Sequence, residues 1–282
     1  MTLTDYTASL AMRASPSTVE AYTRDIKRFL ADCPVTSVKK IKPYHIEQFL
    51  GMIHKDGKSQ STLFRCFMSL RSYFKWLIRN DKITVNPMDK LDAPRFKSKA
   101  PTVPQLNEVK AMLNAIEGID EESLRDRAIL ELLYSSGLRV SELCSLTRDD
   151  ITSTQVVIRS AKRGKWRTVP ITPEAWGYIQ AYLEIRADSR FSLFTSNWGR
   201  DINRMTVYRI ISKRSADVGC SFSPHDIRHA FATHMLDSGA DLRLIQELLG
   251  HESVATTQRY THLSSAQMAQ GFAKHHPRYK EG

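Results

Sequence analysis

The sequence predicts a mainly α protein with a small β-sheet: an N-terminal helical bundle over residues 1–92, a linker over 93–104, and a mixed α/β domain over 105–282. Three observations carry this. Apolar residues recur at helical spacing along most of the chain, and a single pair of β-branched runs, Gln155 to Arg159 and Trp166 to Ile171, breaks that pattern. Between Asp92 and Pro104 all periodicity lapses, with Pro94, Pro101 and Pro104 set among Arg95, Lys97 and Lys99. At 282 residues the chain is long for one core and comfortable for two.

In the first domain, Ser17 and Glu20 read as a capping box for a helix to Leu30 that buries Val19, Tyr22, Ile26 and Phe29. A second helix starts at Pro43 and turns Ile46, Phe49, Leu50 and Ile53 inward. A third runs from Ser61 to Arg79 with Leu63, Phe67, Leu70, Phe74 and Leu77 on one stripe. A short helix from Asn86 to Leu91 completes the predicted bundle. Arg24, Lys27, Arg28, Arg65, Arg71 and Lys75 make its polar faces basic, which suits either plain solvation or contact with phosphates.

The second domain opens with helices from Gln105 to Ile116 and Glu122 to Ser136, the latter stopped by Gly137. Arg139 follows, with Glu142 three residues on, either a surface ion pair or a partly buried arginine with its partner. The two strands enclose a basic turn at 160–165 that carries Lys162, Arg163 and Lys165. Helices from Thr172 to Ala187 and Arg204 to Val218 come next. Ser223 and Pro224 then start a helix with His225, Arg228 and His229 on one face, closed by Gly239. Leu242, Ile245, Leu248 and Leu249 mark a short helix ended by Gly250. His251 lies just beyond, Ser253 can cap a helix carrying Tyr260, and a last helix runs from Ser264 to Ala273 with Met268 and Phe272 apolar.

Composition narrows the function. The chain has 41 Lys and Arg against 30 Asp and Glu, a formal net charge of +11, which points to a polyanionic partner. Cys33, Cys66, Cys144 and Cys220 form no CxxC pair and read as reduced core thiols of a cytoplasmic protein. No leader-like N-terminus and no long apolar run are present, so no membrane partner is expected. His225, Asp226 and His229 imitate the spacing of a zinc-protease helix, but that reading leaves the arginines and the charge without a role.

Arg139, a hairpin lysine, His225, Arg228, His251 and Tyr260 occur without an acidic cluster for Mg²⁺. Guanidinium pairs can hold the non-bridging oxygens of a phosphodiester, imidazoles and lysine can move protons, and a tyrosine hydroxyl can act as nucleophile. Such a site would need neither metal nor other cofactor.

The segments LYSSGLRVSELCSL at 133–146, SPHDIRHAFATHML at 223–236 and LLGHESVATTQRYTHL at 248–263, with HHPR at 275–278, resemble the tyrosine recombinases of the phage-integrase family, most of all the Xer recombinases. The resemblance implies a SAM-like, core-binding N-terminal domain and a catalytic domain. It implies Tyr260 as the nucleophile that forms a 3′-phosphotyrosyl link, Arg139, Arg228 and His251 on the phosphate, His225 as acid or base, and Glu142 as support. Lys162 aligns with the general-acid lysine. The turn departs from the family pattern, however, because Ala161 precedes Lys162 and Arg163 follows it, and Lys165 is the second candidate. Also implied are contacts of Arg163 and Lys165 with duplex DNA, a homo- or hetero-tetramer passing through a Holliday junction, a final helix docked on a neighbouring subunit, and an FtsK-type translocase or accessory DNA-binding proteins as partners. His229 and His234 are expected to be structural.

Overall fold

The structure is a computed structural model describing residues 2–94, 103–159, 166–250 and 264–279. The chain separates into two compact units, Met1–Ala100 and Pro101–Gly282.

The first unit is helical. It begins with a helix absent from the expected elements, α1 (Thr2–Ala11), whose Tyr6 and Leu10 are buried. Tyr6 meets Tyr73 and Trp76 edge-on at 5.2 and 5.8 Å and hydrogen-bonds Ser72 Oγ at 2.9 Å. In α2 (Pro16–Asp32) the capping residue is Ser15, whose Oγ accepts from the Thr18 amide, and not Ser17. Pro16 explains the shift: it lacks an amide hydrogen and is preset for the first helical position, so the cap falls one residue before it. Next come α3 (Pro43–Lys55) and α4 (Gln60–Arg79), the latter capped by Ser59. Ile26, Phe29, Ile46, Phe49, Phe67, Leu70, Phe74 and Leu77 form the core between these helices. The expected helix at Asn86 to Leu91 is a run of turns. Asn86 Oδ1 accepts from the Met88 amide at 3.0 Å, a local bond that competes with helix formation.

The second unit is built around α6 (Glu121–Ser136), which follows α5 (Leu106–Asn114) and is buried from Arg125 to its end. The short α7 (Val140–Leu143) precedes an antiparallel hairpin of β1 (Gln155–Arg159) and β2 (Trp166–Pro170), registered with Val156 opposite Val169 and Ile158 opposite Arg167. Then follow α8 (Pro173–Ile185), α9 (Arg204–Ala216), α10 (Pro224–Asp237), α11 (Leu242–Leu249) and α12 (Ser265–His275). Helices α8 and α10 pack on α6, and Leu132, Leu133, Ile179, Tyr182, Ile227 and Phe231 belong to the resulting core.

Burying α6 on all sides strands its charged residues unless each is paired. Asp126 accepts from Arg125 and Arg214, and Glu131 accepts from Arg127 and Arg278. The second of these ion clusters fixes the tail. Phe272 is 1 % exposed within its own unit, so this side of α12 packs in cis. His276 is fully buried, donating from Nε2 to Tyr134 O at 3.4 Å and accepting at Nδ1 from the Arg278 amide at 3.2 Å. Burial pushes His276 down to about 3.

All four cysteines are free, and burial raises Cys66 and Cys144 to about 11, far from thiolate chemistry. Among the described residues no helix is long and apolar enough to cross a membrane.

Candidate active site

The site starts from a glycine. Gly137 ends α6 in the left-handed region, at φ 59°, and a Cβ there would sit 2.5 Å from the Phe231 ring and 2.8 Å from a Leu249 methyl. Conformation and space therefore both require glycine. The reversal buries Leu138 and sends the Arg139 side chain outward, 46 % exposed, at the N-terminal cap of α7.

One turn along α7, Glu142 returns to this arginine. Its Oε2 accepts from the Arg139 amide at 2.8 Å and its Oε1 from Arg139 Nη1 at 3.0 Å. Arg167 on β2 adds a fork, Nη1 to Oε1 and Nη2 to Oε2, both at 2.9 Å. Burial pushes the Glu142 carboxyl up, but the bonds from Arg167 and the Arg139 amide outweigh it and hold the group below its ordinary value. Sequence reasoning missed Arg167. The available signal was its strand register opposite buried Ile158, since a charge on the inward face of a hairpin needs a partner.

Arg228 comes from the second turn of α10, whose start follows the expected pattern of Ser223 cap and Pro224. It donates from Nη1 to Gly137 O and from Nη2 to Leu249 O at 2.8 Å, tying the end of α6 to the end of α11. Burial, then the neighbouring charges of Arg139 and Arg167, lower Arg228 to about 10, so it stays a cation at neutral pH. His225 lies exposed on the first turn of α10, its ring 6.0 Å from that of His229. The Asp226 carboxylate is engaged in the cap, accepting from Ser223 N and Oγ at 2.8 and 2.7 Å, which removes the acid that a zinc-protease reading requires. His234 is structural, accepting from Tyr134 Oη at 2.9 Å and donating to Pro104 O at 3.0 Å.

The structure thus brings together Arg139, Glu142, Arg167 and Arg228 at the meeting of α6, α7, β2, α10 and α11. His225 stands on the same helix as Arg228. Lys162, Arg163, Lys165, His251 and Tyr260 lie outside the described residues. In the first unit Arg24, Lys27, Arg71 and Lys75 are exposed and form no ion pair among the described residues. Arg28 is instead held by Asp56 at 2.7 Å and Asp32 at 3.7 Å, and Arg65 bonds Asp25.

A helical unit joined to a mostly α unit with one hairpin among the described residues, its arginines gathered around Glu142, is the arrangement expected of a tyrosine recombinase. Residues 105–267 match the model described as the phage integrase family, residues 3–81 match its N-terminal SAM-like domain, and the chain belongs to this family. Among curated relatives it is 33% identical to the tyrosine recombinase XerD of Staphylococcus saprophyticus over 276 residues, 94% of each chain. It is 39% identical to the tyrosine recombinase XerC of Syntrophus aciditrophicus over 250 residues, 84% of this chain and 81% of that one. The crystal structure of XerA recombinase aligns over 99% of both chains at 28% identity with a TM-score of 0.51. A lambda integrase dimer bound to a core site shares the fold, at 21% identity over 94% of this chain and 98% of that one, with a TM-score of 0.73. Enzymes of this family cleave and rejoin DNA, and the chain is an Xer-like site-specific recombinase.

Proposed function

We propose that Tyr260 attacks a DNA phosphodiester, forming a 3′-phosphotyrosyl link and freeing a 5′-hydroxyl, with Arg139 and Arg228 on the non-bridging oxygens. The observation that carries this reading is the shared anchorage of those arginines: Arg228 bonds Gly137 O, and Arg139 stands two residues further along the same turn. Charge gathered in attack is met there by preset donors. His251 donates a further hydrogen bond, His225 serves as acid or base, and Lys162, with Lys165 as alternate, protonates the leaving oxygen. Arg24, Lys27, Arg71 and Lys75, with Arg163 and Lys165 of the hairpin, neutralise backbone phosphates. Residues 1–92 act as the core-binding domain, 93–104 as the linker and 105–282 as the catalytic domain.

On DNA the assembly is a tetramer on two duplex sites passing through a Holliday junction, made of this chain alone or shared with a related recombinase, with α12 reaching a neighbour once its cis contacts open. Solved relatives support this, one described as a lambda integrase tetramer bound to a Holliday junction. An FtsK-type translocase is the proposed activator, on the strength of the Xer-like tail at 275–278.

The test is a pool of nicked duplexes with a randomised core. Wild-type protein is expected to give denaturant-resistant adducts whose sequencing defines the site, and Tyr260→Phe none. Adducts that persist in Tyr260→Phe refute the assignment of the nucleophile.

A further inference from the structure

Three guanidinium groups and one carboxylate meet at the site, and the carboxylate is shared unequally. Arg139 gives Glu142 one side-chain hydrogen bond and its amide, while Arg167 gives both ends of its fork. The Glu142 side chain is 14 % exposed and that of Arg167 20 %, against 46 % for Arg139. A carboxylate so enclosed, left with Arg139 alone, would draw that guanidinium into a two-pronged pairing, the geometry such groups favour. The donors that Arg139 offers outward would then be turned in.

Resting on the reading above, we infer that Arg167 is a positioning residue: it neutralises Glu142 so that Arg139 keeps its charge and its outward donors for the scissile phosphate. Arg139, Arg167 and Arg228 against Glu142 leave a net charge of two positives. That matches the second negative charge a phosphodiester gathers as it becomes five-coordinate. Removing Arg167 halves this excess without touching a group that contacts substrate.

Arg167 is also placed to align neighbouring parts. Its Nε donates to Leu248 O at 3.4 Å, and its guanidinium lies under Gly250, where a Cβ would come within 3.0 Å of Nη1. Gly250, at φ 62°, directly precedes His251, and β2 directly follows the turn that carries Lys162 and Lys165. One side chain thus braces α7, the end of α11 and the exit of the hairpin.

The test is a double-mutant cycle on single-turnover adduct formation with the trapped site as a nicked suicide duplex, at saturating protein. Arg167→Ala is expected to slow adduct formation about 10- to 100-fold in the presence of Glu142, as a misplaced reacting group does. In a Glu142→Gln background the same change is expected to cost less than about threefold, because the carboxylate to be neutralised is gone. DNA affinity is expected to stay within about threefold throughout, far less than the lost rate. Equal costs in the two backgrounds, or a loss carried by affinity, overturn the inference and leave Arg167 a strut. If Arg167→Ala does not fold, Arg167→Gln makes the same comparison, since its amide keeps some volume and a hydrogen-bond donor beside Glu142 but carries no charge. A wild-type protein that forms no Tyr260 adduct sinks the parent reading instead, so the two failures are told apart.

Discussion

Lowering the pH from 7 to 5 weakens the second unit through His276, by favouring the unfolded chain. The folded unit holds this ring neutral, its Nε2 hydrogen donated to Tyr134 O and its Nδ1 lone pair taken by the Arg278 amide. Protonation would set a hydrogen at Nδ1 against that N–H, in a fully buried site that already holds the Arg278 charge. With the folded value near 3 and the free value at 6.5, the unfolded chain takes up the proton first. The stabilisation is therefore complete above about 6.5 and is lost as pH falls toward 3. At pH 5 the loss is about 2 kcal/mol relative to pH 7, set almost entirely by the unfolded value. For a unit of this size it lowers the Tm by about 4–8 °C. His234, also depressed by burial, adds in the same direction. The assay is calorimetry at pH 7, 6 and 5 on wild type and His276→Gln. The variant starts less stable but should lose about 2 kcal/mol less on acidification. Parallel pH slopes for the two proteins would refute the reasoning.

Gly137→Ala should destabilise the protein by about 1–3 kcal/mol in denaturant titration, because its Cβ strikes Phe231 and Leu249 and its φ of 59° disfavours a side chain. It should also slow adduct formation by displacing the carbonyl that holds Arg228. Arg71→Ala and Lys75→Ala should each weaken binding to any duplex and reduce the slope of log affinity against log salt by about one. Arg28→Ala, whose charge is already met by Asp56 and Asp32, should change that slope by less than half as much.

What could be read from the sequence followed the range of the forces involved. Helices α10 and α11 were legible because their signals are local: a Ser-Pro start, glycine stops at Gly239 and Gly250, and apolar residues in step. The same local signals set Arg228 and His225 on one helix and Arg139 just past a glycine. Helix α1 was passed over although Leu3, Tyr6 and Leu10 fall at helical spacing, because so short a stripe, with no Ser-Pro start or glycine stop to bound it, is hard to tell from an irregular terminus. The buried charges of α6 were hidden for a different reason. Their partners Arg214 and Arg278 lie 88 and 147 residues away, and no local pattern connects them. Arg167 falls between these cases: its register was readable, and its partner Glu142, 25 residues back, was not.

The grip of Arg228 on two helix ends bears on how the enzyme lets go. Its guanidinium gives two of its five N–H donors to the carbonyls of Gly137 and Leu249, the negative poles of α6 and α11. With Arg228 on the scissile phosphate as proposed, its charge is shared between that phosphate and two helix termini. Under that assignment the sharing tempers the hold on the resting strand and leaves the strongest hold for the more negative five-coordinate state. For a catalyst that must hand back an intact duplex, this reluctance favours release after each cycle of breaking and rejoining.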